Sequence, residues 1–240
     1  MIFCMRHRSF AILGVFFVVA ALWAKDFWLE KPYTAWSKKE AERLLNGSPW
    51  GDTFTFADQS QGTYRPTPRG TPATDQRENM EIYRYFRVRF LTAKPVRMAF
   101  GRMNRIMKDG EKAEGVDENA LSFINASFGD RIVVGVDADS NSGRYRGEMY
   151  QMLNSLNVGM LQLNTYLQRA DGLKNYITEY VAPTGDGLGA KLVFPRTLNG
   201  QPFVSGEKGT LRFASQLSSE YRLNIPFKLE KMVFEGKLEY

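Results

Sequence analysis

Beyond Gly159 the apolar residues stop recurring every third or fourth position and begin to alternate, and this change of period constrains the fold more than any other feature. Runs at 161–169, 174–181, 190–195, 210–217, 222–230 and 232–239 read as strands, because alternation sends successive side chains to opposite faces of a pleated sheet. Asp171-Gly172 and Asn199-Gly200 stand between such runs, and both dipeptides suit a two-residue hairpin. The expectation for this half is a C-terminal antiparallel β-meander.

The first half mixes its periods. Residues 27–36 form an aromatic arm, followed by Ser37-Lys38-Lys39-Glu40, the spacing of a capping box in which serine and glutamate satisfy each other's backbone N–H groups. Ala41, Leu44 and Leu45 supply the apolar side of that helix and Gly47 its stop. Thr53-Phe54-Thr55-Phe56 alternates as a strand. Ile82, Phe86, Val88 and Phe90 fall on one side of a second strand over 82–91, where a helix is the alternative.

Pro95 suits a first helical turn, and Val96, Ala99, Met103, Ile106 and Met107 continue at helical spacing. A helix over 117–126, a buried strand at Ile132-Val133-Val134-Gly135-Val136 and a helix over 145–157 follow. Residues 57–79, punctuated by Gly62, Pro66, Pro68, Gly70 and Pro72, read as a flexible polar segment. The expected class is α+β: short N-terminal helices packed on a predominantly antiparallel sheet, in a single domain over residues 25–240.

Residues 1–24 read as an address. Arg6 and Arg8 precede an apolar run of 13 residues, 10–22, which ends in small residues near Ala20-Ala21 and Ala24. This is the layout of a secretory signal peptide, and the run is short of the roughly 20 residues a spanning helix needs. An uncleaved N-terminal anchor is the alternative. Cys4 precedes the apolar run rather than following it, which argues against a lipoprotein signal. The expected location is periplasmic or extracellular.

Cleavage would also remove Cys4 and His7, the only cysteine and histidine of the chain. Without them there is no disulfide, no Ser-His-Asp triad, no Cys-His pair and no ordinary zinc site. Gly185-Asp186-Gly187-Leu188-Gly189 lacks the lysine and serine of a phosphate loop and reads as a turn. Carboxylate chemistry survives, so a hydrolase acting on glycans through two acids, with Glu148 and Glu179 as conceivable members, stays open.

Three constellations stand out. Asp137, Asp139, Asn141 and Glu148 fall on positions 1, 3, 5 and 12 of a calcium loop, although Ser142 occupies the place of the turn glycine. The other reading is a plain polar turn. Between Arg84 and Lys108 lie eight positive charges in 25 residues and no acid; Arg87, Arg89, Arg97 and Arg105 are the candidates for contact with an anionic lipid or polysaccharide surface. Their other reading is the solvated side of a strand and a helix. Trp28, Trp36 and Trp50 form an aromatic cluster that could anchor a partner protein or pin the terminal helix to the core.

Lys31-Pro32-Tyr33, Trp36-Ser37, Glu40, Leu44-Leu45 and Ser48-Pro49-Trp50 resemble the opening of uncharacterised secreted bacterial proteins of acidobacterial type. The likeness continues at Ala93-Lys94-Pro95-Val96-Arg97, Phe194-Pro195-Arg196 and Gly236-Lys237-Leu238-Glu239-Tyr240. Some members are linked to a domain with a Gly-Trp-x-Thr-Asp motif; here none of the four tryptophans follows glycine. The resemblance implies export and carries no activity, cofactor or catalytic residue. It does not extend to the Asp137 loop.

The functional expectation is an exported, non-catalytic interaction or structural module of the cell envelope. Its expected partner is another envelope protein, or an anionic lipid or polysaccharide surface. Export argues against nucleic acid. No cofactor is expected apart from calcium at the Asp137 loop, which would make the chain a calcium-dependent binding module.

Overall fold

The computed structural model describes residues 26–58, 81–113, 115, 117–206 and 208–240. The chain opens with α1 (Phe27–Glu30) and a single 3-10 turn, then α2 (Lys38–Asn46). The capping box is formed: the Glu40 backbone N–H donates to Ser37 Oγ at 3.3 Å, and the Ser37 N–H donates to the Glu40 carboxylate at 2.8 Å. Lys31 pairs with the same carboxylate at 2.7 Å. Ala41, Leu44 and Leu45 are buried, as the spacing requires.

Two sheets follow. The first runs β1 (Gly47–Ser48), β2 (Gly51–Asp58), β3 (Ile82–Phe90), β4 (Arg131–Ser140), then β8 (Ala190–Pro195) and β7 (Glu179–Val181), with every neighbouring pair antiparallel. Between β3 and β4 lie α3 (Lys94–Asp109) and α4 (Glu118–Ile124). After β4 come α5 (Gly143–Ser155) and α6 (Val158–Leu161). The second sheet comprises β5 (Thr165–Gln168), β6 (Lys174–Tyr176), β11 (Thr210–Gln216) and β12 (Arg222–Lys228), in the order β12-β11-β5-β6, also antiparallel throughout. Two short ribbons complete the chain: β9 (Thr197–Leu198) with β10 (Gln201–Pro202), and β13 (Val233–Phe234) with β14 (Lys237–Leu238). This is an α+β fold.

The two sheets face each other across the core. Phe86, Val88, Phe90 and Val136 of the first meet Phe213, Ile225 and Phe227 of the second, all of them buried. Phe90 meets Phe227 edge to face at 4.9 Å, and Phe194 meets Phe213 at 6.4 Å. Alternation along β12 separates Leu223, Ile225 and Phe227, which are buried, from Arg222, Asn224, Pro226 and Lys228, which are exposed. Pro226 is tolerated in this strand because β12 forms the edge of its sheet.

Several sequence expectations change. The second half is not one meander: β7 and β8 leave it to join the first sheet, so the segment 174–181 is two strands in two sheets. The run at 161–169 begins as the end of α6, and only Thr165–Gln168 pairs. Segment 232–239 folds back at Glu235-Gly236 into a two-residue ribbon. Asn199-Gly200 makes the expected two-residue hairpin, at φ 52° and 76° between β9 and β10. Asp171-Gly172 lies in the β5–β6 hairpin, but in a longer loop that Ala170 shares, closed by the Arg169 N–H on the Leu173 carbonyl at 3.0 Å. Of the polar segment 57–79, Ala57 and Asp58 belong to β2, and the rest lies outside the described residues.

The pieces that carried the family resemblance meet in space around the C-terminal segment. The Trp50 indole N–H donates to the carbonyls of Glu239 at 2.9 Å and Met232 at 3.3 Å. The Glu239 carboxylate accepts from the Lys94 backbone N–H at 2.8 Å, one of the N–H groups that the start of α3 leaves free. Arg196 donates to the Tyr240 carbonyl at 2.7 Å and lies over its ring. Three distant stretches thus close on one short strap.

Candidate functional site

The basic run folds into an internal frame rather than an anion-binding surface. Arg89 is 5% exposed and donates to the Leu45 carbonyl at 3.0 Å and to Asn46 Oδ1 at 2.7 Å, with its guanidinium over Phe100. Burial pushes its pKa down to about 10, against the pull of Asp137, so it stays charged at neutral pH. Arg97 and Arg102 are equally buried. Arg97 donates to the Ala126 carbonyl at 2.5 Å, and Arg102 to those of Trp36, Ala113 and Glu111 at 2.6, 2.6 and 3.0 Å. Arg105 closes an ion pair with Asp109 at 2.7 Å, one turn along α3. Arg89, Arg97 and Arg102 thus donate to carbonyls that the ends of α2 and α4 and the loops leave free, while Arg97 Nε stays buried without a hydrogen-bond partner.

Arg87 belongs to the same frame, two residues before Arg89 on the same face of β3. Cross-strand register places it opposite Asp137, and it donates to Asp137 at 3.0 Å and Asp139 at 2.8 Å. Arg146 reaches Asp139 from α5 at 2.7 Å. Burial alone would raise the Asp139 carboxyl; hydrogen bonds from Arg87, the Ser140 N–H and Arg146 outweigh it and hold the group below its ordinary value. Burial likewise opposes the Arg87 charge, and the two aspartates more than restore it.

The residues of the expected calcium loop have other partners here. The expected loop is the end of β4, which stays extended to Ser140, so Asp137 and Asp139 share a sheet face with Arg87 between them. Asn141 is held at the strand end, accepting from the Tyr83 N–H at 2.9 Å and donating to the Glu81 carbonyl at 2.9 Å. Glu148 points along α5 to Arg144 at 2.9 Å. The four do not converge, and among the described residues no group of three or more His, Cys, Asp or Glu gathers for a metal.

The tryptophans are likewise interior. Trp28, Trp36 and Trp50 are 6%, 1% and 0% exposed. Trp28 lies edge to face on Trp50 at 5.8 Å, and Trp36 packs against Phe27 at 5.5 Å just before the α2 cap. They pin the N-terminal helices to the first sheet.

What the surface does present is the outer face of the second sheet. Register arranges it in rows across the strands: Lys228 beside Thr210; then Pro226, Arg212, Gln168 and Lys174; then Asn224, Ala214, Tyr166 and Tyr176; then Arg222 beside Gln216. Four cations and, among the described residues, no carboxylate stand in these rows. Arg212 donates to Asn224 Oδ1 at 2.7 Å and Arg222 to Gln216 Oε1 at 3.1 Å, both neutral acceptors. Lys174 lies 4.2 Å from the centre of the Tyr166 ring, which meets Tyr176 at 5.5 Å. Among the described residues none of the four cations forms an ion pair, so their field is uncompensated.

Sequence reasoning missed this face because its cations are scattered over 55 residues, from Lys174 to Lys228, and look dense only after β5 and β6 pair with β11 and β12. The legible signal was the alternation Arg222-Leu223-Asn224-Ile225-Pro226-Phe227-Lys228, whose polar members must share a face. No helix among the described residues is long and apolar enough to cross a membrane.

The fold and this surface define an α+β protein of two antiparallel sheets, one of them open and basic on its outer side. Comparisons with protein-family models, with curated proteins and with solved structures give no match.

Proposed function

We propose that this protein is a non-catalytic interaction module of the cell envelope that holds an acidic polysaccharide across the outer face of its second sheet. The observation that carries the proposal is the presence of Lys174, Arg212, Arg222 and Lys228 on one open face with no carboxylate among the described residues of its rows. Neighbouring strands lie about 4.8 Å apart, so Arg212 and Lys174, two strands apart in one row, stand about 10 Å apart, near the length of a disaccharide repeat. Gln168, Gln216 and Asn224 offer amides to hydroxyl groups, and Tyr176 offers a ring, exposed at 43%, for stacking on a sugar.

Several features favour binding over catalysis. A general acid at neutral pH needs a raised carboxyl pKa, whereas the Asp137–Asp139 pair is bridged by Arg87 and Asp139 is lowered. The N-terminal sequence supports placement outside the cytoplasm.

The test is affinity electrophoresis in gels containing polygalacturonate, with dextran as the neutral control. Retardation in the acidic gel alone, weakened by salt and reduced at least tenfold in affinity by Arg212→Ser with Arg222→Ser, is the expected result. Equal mobility in both gels would overturn the proposal. So would retardation that survives the two substitutions, or binding confined to anionic lipid vesicles.

A further inference from the structure

A second feature lies at the edge of the basic face, beyond β12. A cavity of about 450 Å³ opens there between the aromatic arm, the β1–β2 turn and β12, within the size range of small-molecule sites. Its charged lining is Arg43 from α2, Lys228 from the end of β12, Lys231 from the turn that follows, Asp26 ahead of α1 and Asp52 on β2. Trp28 and Phe227 supply its apolar wall.

The charges are arranged unusually. Elsewhere Lys191 closes onto Asp186, in the loop ahead of β8, at 2.7 Å. Here three cations and two carboxylates share one cavity, and among the described residues no ion pair joins any of them. Arg43 lies over the Phe27 ring at 5.9 Å, and Asp52 accepts only from the adjoining Thr53 N–H at 2.8 Å. The cavity therefore keeps unneutralised charge of both signs. An anion alone would leave the two carboxylates close to it and repelled. A cation alone would face three positive side chains. A ligand carrying both charges a few ångströms apart satisfies both sets.

We infer that this cavity is a binding site for a phosphate ester that carries its own ammonium group, of the phosphoethanolamine class. Arg43, Lys228 and Lys231 hold the phosphate, and Asp26 and Asp52 hold the ammonium. The volume leaves room for the first atoms of whatever bears the group, either a lipid headgroup or a glycan substituent. The site does not rest on the polysaccharide reading, although Lys228 borders both surfaces.

The test is calorimetric titration of the purified protein with O-phosphoethanolamine, glycerol phosphate, inorganic phosphate and ethanolamine. O-phosphoethanolamine is expected to bind at least tenfold more tightly than each of the other three. Arg43→Ala with Lys231→Ala should weaken it at least tenfold. Asp26→Asn with Asp52→Asn should erase its advantage over glycerol phosphate while phosphate binding remains. All four positions lie at the surface, and an unchanged melting temperature confirms that each variant is folded. Equal affinity for the three phosphates, no heat at about 10 mM ligand, or indifference to these substitutions would overturn the inference. Arg212→Ser with Arg222→Ser should leave this titration unchanged, which separates its failure from that of the sheet face. Cosedimentation with phosphatidylethanolamine vesicles then assigns the source: capture indicates the lipid, and binding of the free ester without capture indicates a glycan-borne group.

Discussion

Replacing Arg102 by Met tests whether the basic run is an internal frame. Met keeps much of the apolar stem and removes the guanidinium. Three charge-assisted hydrogen bonds go with it: a buried one to the Trp36 carbonyl at 2.6 Å and two half-buried ones to Ala113 and Glu111 at 2.6 and 3.0 Å. Bonds to a charged donor contribute roughly 1.5–3 kcal/mol when buried, and less where water can replace the donor. Assigning about 2 kcal/mol to the first and about 1 to each of the others gives a loss of about 4 kcal/mol. At this chain length that corresponds to a fall in melting temperature of about 8–16 °C. Urea unfolding, read from the midpoint at constant slope, measures it. The matched control is Arg222→Met on the exposed sheet face, expected within about 0.5 kcal/mol of the parent. A loss below about 1 kcal/mol for Arg102→Met would refute the frame and restore a solvated helix face.

Asp139 gives a pH signature. Its folded pKa is depressed, so its stabilising contribution is fully present above the unfolded value near 3.9 and is lost as pH falls through the folded value. Asp139→Asn should therefore lower stability at neutral pH and flatten the acid limb below about pH 4. Acid-unfolding curves of identical slope in both proteins would contradict the network. Trp50→Phe should cost about 2–4 kcal/mol, because it removes a fully buried indole N–H that serves the Glu239 and Met232 carbonyls and leaves a void beneath the C-terminal strap. Hydrogen exchange should show the Lys94 amide losing protection in the same variant, and unchanged protection there would separate the strap from Trp50.

Local rules made much of the secondary structure legible. The Ser37 cap, Pro95 in the first turn of α3, the alternation of β3 and β12 and the two glycine hairpins all depend on residues within a turn or a strand of one another. The Asp137 loop misled because its ligand spacing is one-dimensional. Asp137 and Asp139 suit a calcium loop and equally suit one face of a strand, and Arg87 across the sheet decides for the strand. The division of 174–181 between two sheets was invisible for a similar reason. Its partners, Tyr166 for Tyr176 and Leu192 for Tyr180, lie in separate strands that only the folded topology places.

By itself the sequence determined the α+β character and most element positions. Those properties follow from composition and from interactions between near neighbours along the backbone. Tertiary structure alone decided which charges are solvated. It turned the densest basic stretch inward, where carbonyls at helix and loop ends take its guanidiniums. It then assembled a separate basic face from Lys174, Arg212, Arg222 and Lys228, residues too far apart in the chain to look like a cluster. Charge acts through distance in space, and a chain's order specifies that distance only after its strands have paired.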